Sequence, residues 1–170
     1  MLSIQDLGLS IMGDSPKSFY ILGGHEFGIK ERYIDILCDK FGGRVEFDSV
    51  SALFDLFTQN HIIPLPSQVY VVRYDSAFVN SINATVASQL VNLTIPGVLV
   101  LLYETDKDVN KLDKHFPDNV SVIEKVDPKH LVKYLKSDFP SLDTKLLGKV
   151  AIASNDYYHA KNVCRCLSSL

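Results

Sequence analysis

Six consecutive apolar residues, Val98-Leu99-Val100-Leu101-Leu102-Tyr103, constrain the fold of this chain more than any other feature. A strand with one wet face alternates apolar and polar side chains, whereas an unbroken apolar strand is buried on both faces. Helices packed on either side of a parallel sheet provide such burial. The turn signal Pro96-Gly97 precedes the run. We therefore predict that residues 98–103 form the central strand of an α/β sheet.

The rest of the chain alternates strand and helix patterns. Short aliphatic and aromatic runs predict further strands at residues 18–22, 44–47, 68–74 and 120–123. Apolar residues at helical spacing predict helices at about residues 26–41, 53–57, 77–93, 106–115 and 128–137. Asp48 or Ser51 is the expected cap of the second of these helices. The pattern predicts a parallel five-stranded sheet with helices on both faces, in a domain spanning residues 1–139.

The pattern changes after Phe139-Pro140. Residues 146–153 and 157–170 have the character of two helices with no strand between them. We therefore expect residues 140–170 to form a small helical segment appended to the α/β domain.

Composition and termini bound the class of protein. A chain of 170 residues that is 46% hydrophobic suits one domain with a small appendage. No apolar run approaches the roughly 20 residues that span a bilayer, and the N-terminal residues lack the pattern of a signal peptide. The three cysteines lack the spacing of a zinc site or a disulfide framework. We expect a cytoplasmic protein with reduced thiols and no membrane partner.

Charge is distributed unevenly along the chain. Residues 1–106 carry six Lys and Arg against twelve Asp and Glu, whereas residues 107–170 carry eleven against eight. The lysines of the second part fall mostly at helical intervals, which is typical of a solvated helix face. Acidic residues interrupt the lysine run and argue against a continuous groove for nucleic acid. We expect any DNA contact to be weak or indirect.

The loop after the first strand lies where an α/β ATPase binds phosphate. It comprises Gly23, Gly24, His25, Glu26, Phe27, Gly28, Ile29 and Lys30. Gly23 and Gly28 have the glycine separation of G-x-x-x-x-G-K-[ST], but Ile29 occupies the lysine position and Lys30 the hydroxyl position. A shift of one residue turns the lysine by about 100° around a helix. Glu26 would also bring an acid close to a bound anion. We predict a degenerate phosphate loop, with no ATP hydrolysis and no cofactor.

The end of the third predicted strand supports a non-catalytic protein. It ends Arg73-Tyr74-Asp75, without the paired acids that hold magnesium in ATPases of this architecture. We expect Asp75 to start a turn or cap a helix rather than to bind a metal. No histidine is spaced so as to pair with a nucleophilic Cys or Ser, so we assign no catalytic residue.

A second loop, Asn60 to Pro66, is rich in branched aliphatic residues. Pro64 and Pro66 hold this segment extended, and it contains Ile62, Ile63 and Leu65. An exposed apolar cluster marks a binding site. The sequence leaves open the alternative that these side chains cover the end of the core.

The order of these features resembles the delta subunit of the bacterial DNA polymerase III clamp loader, in the first two of its domains. The segment Tyr20 to Phe27 is similar to that family's first strand and the loop before its first helix, and Gln68 to Arg73 to its third strand. Val98 to Tyr103 with Lys111-Leu112-Asp113-Lys114, and Asn155 to Leu170, resemble its next strand with the following helix and its lid helix. The resemblance extends from about Ser18 to the end of the sequence.

The resemblance implies an AAA+-like core without functional Walker motifs, followed by a helical lid. It implies a non-catalytic subunit that binds and helps to open the sliding DNA clamp, with the clamp and other clamp-loader subunits as partners. By position, the clamp-binding role falls on Ile62, Ile63 and Leu65, although the family often has Leu-Phe there.

Two other functions stay open on the sequence alone. One is a small-molecule or nucleotide-binding domain that uses the carboxyl ends of the strands, near Gly24, Asp75 and Glu104. The other is a structural adaptor in a larger replication complex.

Overall fold

The computed structural model describes all 170 residues. Its strands are β1 (Phe19–Gly23), β2 (Arg44–Phe47), β3 (Gln68–Arg73), β4 (Gly97–Leu102) and β5 (Val120–Val122). Its helices are α1 (Ile4–Met12), α2 (Phe27–Phe41), α3 (Val50–Thr58), α4 (Ser76–Ser81), α5 (Ala84–Val91), α6 (Asp106–Asp113), α7 (Pro128–Asp138), α8 (Thr144–Ala153) and α9 (Tyr157–Ser168).

The five strands form one parallel sheet in the order β2-β3-β4-β1-β5. The predicted α/β class is confirmed, and β4 lies at the centre, as its unbroken apolar sequence predicts. Every residue of β4 after Gly97 is buried.

The chain divides into two compact units. The sheet unit consists of residues 1–24 and 32–122, and the helical unit consists of residues 25–31 and 123–170. The segment 140–170 therefore lies within the helical unit, which also contains α7 and the first turn of α2. No helix combines the length and the apolar character needed to cross a membrane.

Alternate residues along the strands supply the two buried faces of the sheet. One face contributes Phe19, Ile21, Tyr70, Val72, Leu99 and Leu101 to a core that also contains apolar residues of α3, α4, α5 and α6. The strand residues between them, including Tyr20, Leu22, Val71 and Val100, are also buried. Right-handed crossovers place helices on opposite faces of the sheet when their connections run across it in opposite directions. The β1-to-β2 connection runs in the direction opposite to the other connections between strands. Its helix, α2, is therefore placed on the opposite face from α3–α6.

Two local predictions differ from the structure, and one helix has no predicted counterpart. The single helix predicted over residues 77–93 is two helices, because Asn83 is extended and its side chain accepts a hydrogen bond from Val86 N at 3.0 Å, which starts α5. Ser49 caps α3, rather than Asp48 or Ser51, and accepts from Ala52 N at 3.1 Å. The helix α1, which Ser3 caps, was not predicted.

Asp75 is the cap of α4, as predicted. Its Oδ1 accepts a hydrogen bond from Phe78 N at 3.0 Å, and its Oδ2 accepts one from Val50 N, at the start of α3, at 2.8 Å. The Tyr103 hydroxyl donates to the Asp75 carbonyl oxygen at 3.1 Å. This buried aspartate therefore connects the ends of β3 and β4 to the starts of two helices.

Candidate functional site

Gly23 and Gly24 lie at the end of β1, where the sequence predicts the degenerate phosphate loop. Gly23 is the last residue of β1 and pairs with Val122 of β5. A Cβ at Gly23 would lie 3.2 Å from Val109 Cγ1, so the space beside it is already filled. Gly24 has φ +89°, a left-handed conformation that favours glycine and turns the chain out of the strand.

Glu26 binds a helix N-terminus. Within the helical unit, its Oε1 accepts a hydrogen bond from Tyr157 N, the first residue of α9, at 3.1 Å. Its own backbone N–H donates to the Ile123 carbonyl oxygen at 3.1 Å. Burial raises the pKa of Glu26, the hydrogen bond from Tyr157 N lowers it, and the charge of nearby Asp156 raises it again, with a net increase. The acid that the sequence places near a phosphate site therefore serves to start α9.

The first turn of α2 packs tightly against the start of α9. A Cβ at Gly28 would lie 2.9 Å from Tyr158 N and 3.1 Å from Tyr157 Cδ1. The next two side chains, those of Ile29 and Lys30, are both buried. Gly28, Ile29 and Lys30 are thus buried, whereas His25 and Phe27 of the same loop are exposed.

Tyr157 connects several parts of the helical unit, although sequence reasoning gave it no role. Its hydroxyl donates to the Asp138 carboxylate in α7, and its ring lies 6.2 Å from the Tyr134 ring in an edge arrangement. The Lys161 ammonium group lies 5.7 Å from the centroid of the same ring. No local pattern links Glu26 to Tyr157, because the two residues are 131 positions apart in the sequence.

The carboxyl ends of β3 and β4 contain the other residues considered for a ligand site. Both carboxylate oxygens of Asp75 accept hydrogen bonds from backbone N–H groups. Glu104 is exposed, and Tyr74 beside it has a left-handed backbone with φ 59°. Burial and the Glu104 carboxylate both raise the pKa of the Tyr74 hydroxyl. Asp75 thus binds the starts of α3 and α4 with its two carboxylate oxygens.

The apolar loop, residues 59–67 between α3 and β3, presents its isoleucines to solvent. Ile62 is fully exposed and Ile63 is 79% exposed, whereas Leu65 is partly buried. The structure thus answers the question that the sequence leaves open, because Ile62 and Ile63 do not cover the core.

Both ends of the apolar loop are fixed by side chains of the sheet unit. His61 Nε2 hydrogen-bonds with the Leu56 carbonyl oxygen of α3 at 2.6 Å. The Tyr70 hydroxyl donates to the Pro66 carbonyl oxygen at 2.9 Å, and the Phe57 ring packs edge-on at 4.9 Å from the Tyr70 ring. The loop therefore presents two adjacent aliphatic side chains to solvent, and hydrogen bonds hold its backbone near both ends.

We predict that Gly28→Ala destabilises the protein although alanine is the better helix former. Propensity in a helix interior favours alanine by about 0.8–1.0 kcal/mol, but the added methyl group would meet the backbone nitrogen of Tyr158. Gly148→Ala in α8 is the matched control, since no atom lies within 4 Å of its added Cβ and it should stabilise. Urea unfolding measures both changes. Equal stabilisation by the two substitutions would contradict the close packing of α2 and α9.

We predict that the Glu26→Gln variant gains stability relative to the wild type as pH rises from about 4.3 to neutral. The pKa of Glu26 is higher in the folded protein than in the unfolded chain. The stability that the protonated side chain contributes is therefore fully present below the unfolded pKa, and it is lost as pH rises through the folded pKa. Glutamine keeps an oxygen that accepts from Tyr157 N but does not ionise. Unfolding free energies of both proteins across this range are the measurement. A difference that stays constant with pH would refute the assignment.

No protein family matches the sequence. A search of curated proteins likewise finds no match.

The fold is similar to a solved structure, that of the Bacillus subtilis DNA clamp loader delta protein (YqeN). The similarity has a TM-score of 0.62 at 14% sequence identity, and it covers 96% of this chain and 57% of that one. The chain thus spans little more than half the length of that protein. At this identity the similarity concerns the fold, which is the five-stranded α/β sheet with its helices, shared with a clamp loader delta protein.

Proposed function

We propose that this protein is a non-catalytic clamp-loader delta-like subunit that binds a sliding DNA clamp and helps to open it. The observation that carries the proposal is the pair of exposed isoleucines, Ile62 and Ile63, on a loop whose ends are fixed. The fold similarity to a clamp loader delta protein over 96% of the chain supports it. In the clamp-loader delta family, which the sequence resembles, the clamp-binding element also comes just before the third strand.

The chemistry of the apolar loop suits this role. Full burial of an isoleucine side chain contributes about 1.5–3 kcal/mol, so two adjacent residues are a substantial anchor for a complex. The hydrogen bonds of His61 and Tyr70 already order the loop, which lowers the entropy lost on binding. Leu65 is partly buried and supports the loop beside the anchor.

Residues of the predicted phosphate loop, and Asp75, are buried or hydrogen-bonded within the protein, which supports a binding role rather than ATP hydrolysis. Ile29 and Lys30 are buried, Glu26 binds the start of α9, and Asp75 binds the starts of α3 and α4. We infer an ATPase-like core that lacks the Walker A lysine and the Walker B acids and works without nucleotide. In this proposal residues 140–170 belong to a helical lid, and other clamp-loader subunits are further partners.

We predict that Ile62→Ala combined with Ile63→Ala weakens binding to the sliding clamp of the same organism at least tenfold, because truncation of a buried anchor costs about 2 kcal/mol or more. Surface plasmon resonance on the immobilised clamp measures the affinity. Ile152→Ala is the matched control, since this isoleucine is also exposed, at 76%, but lies on α8. The control should bind as the wild type does.

Three results would count against the proposal. Unchanged affinity of the double variant would reject the site, and the absence of wild-type affinity for the clamp would reject the function. Stabilisation of several degrees by ATP and magnesium in a thermal-shift assay would favour a nucleotide site at the carboxyl ends of the strands instead.

A further inference from the structure

The two edges of the sheet differ in what lies beside them. At the β5 edge, the N-terminal segment runs alongside the strand. Leu2 N donates to the Val120 carbonyl oxygen at 2.7 Å, and the Ser121 hydroxyl donates to the Leu2 carbonyl oxygen at 3.2 Å. At the other edge, β2 pairs with β3 alone. An edge strand is a template for pairing with another chain, so the β2 edge is the candidate surface for a partner.

The hydrogen-bond pattern of the sheet shows which residues of β2 face outward. Val69 N donates to the Gly43 carbonyl oxygen at 2.9 Å, and Val69 is in register with Arg44. Backbone groups of alternate residues point to opposite sides of a strand, so Val45 directs its N–H and C=O groups to β3, as Gly43 does. Arg44 and Glu46 therefore direct theirs away from β3.

The side chains of β2 give it one charged face and one apolar face. The Glu46 carboxylate accepts hydrogen bonds from Arg73 Nε at 3.1 Å and from Arg44 Nε at 3.0 Å. The hydrogen bonds from Arg73 and Arg44 lower the pKa of Glu46 to about 2, so this carboxylate is charged at neutral pH. On the opposite face, Val45 and Phe47 are half-buried against the core.

The charges of β2 are complementary to a second copy of the same strand in one register. Two identical edges pair antiparallel across a two-fold axis, and their outward residues form the hydrogen-bonded pairs. An axis at Arg44 or at Glu46 would place like charges directly opposite each other, which is destabilising. An axis at Val45 instead places Arg44 opposite Glu46 of the second copy, and it does so twice.

We propose that this protein forms a two-fold symmetric dimer in which the β2 strands of two copies pair antiparallel, with Val45 at the axis. This pairing joins the two five-stranded sheets into one. Charged side chains on an edge strand commonly prevent association. In Arg44-Val45-Glu46, however, the signs alternate, so the same side chains attract in this register. At the axis the two Val45 side chains meet on the apolar face.

Sedimentation velocity of the full chain over a series of concentrations tests the dimer. The wild type should reach twice the mass of the chain by about 100 μM. Glu46→Arg places like charges opposite in both pairs and should weaken dimerisation about tenfold or more. Arg44→Glu combined with Glu46→Arg restores opposite charges and should recover the dimer. Glu124→Arg is the matched control, since it reverses an exposed acid outside β2 and should leave the dimer unchanged.

A disulfide tests the register independently of charge. Val45→Cys is made together with Cys166→Ser, which removes the exposed native thiol. Directly opposite residues of a non-hydrogen-bonded pair have Cα atoms about 4.5 Å apart, within reach of a disulfide, so mild oxidation should link the two copies. Arg44→Cys on the same background is the control. Its two copies would be diagonal neighbours about 7–8 Å apart and should not link. Circular dichroism confirms that each variant stays folded.

Four results would overturn the proposal. They are a monomeric wild type over this range, equal losses in Glu46→Arg and Glu124→Arg, no recovery in the charge-swapped variant, and a link through Arg44→Cys rather than Val45→Cys. Ile62→Ala with Ile63→Ala should keep the dimer, and its loss there would assign self-association to the apolar loop instead. Dimerisation is measured without a clamp, so its failure and the failure of clamp binding are distinguishable.

Discussion

Burial of the parallel sheet on both faces is the constraint on which the rest of the structure depends. The strands β1 and β4 have almost no exposed side chain, so the helices that follow the strands must cover them. Ile62 and Ile63, which are adjacent and exposed, contribute nothing to this burial.

Carboxylates at helix starts are a second theme of the molecule. Glu26 and Asp156 share the start of α9, while Asp75 serves α3 and α4 together. An ATPase would use acids and backbone N–H groups near the sheet's carboxyl edge for magnesium and phosphate. In this protein the same classes of group satisfy one another. The polar groups at this edge of the sheet therefore stabilise the fold itself.

The sequence predicted what depends on local pattern. The six apolar residues of β4 placed the central strand correctly, and the Asp75 cap followed from its position after a strand. The break at Asn83 was missed because the flanking apolar residues keep helical spacing, which hides the cap. The contact of Glu26 with Tyr157 has no local signal at all. Whether Ile62 and Ile63 face water or the core depends on tertiary packing, which their apolar character alone cannot specify.

The anchoring of the apolar loop separates two kinds of selection pressure. His61 and Tyr70 hold the loop through groups that lie outside the isoleucine pair, and Ile62 and Ile63 contribute no burial to the core. Replacement of either isoleucine therefore costs the folded state little. The pair can therefore change in evolution at little cost to the fold, while the anchors and the sheet change only at the slower pace that folding permits.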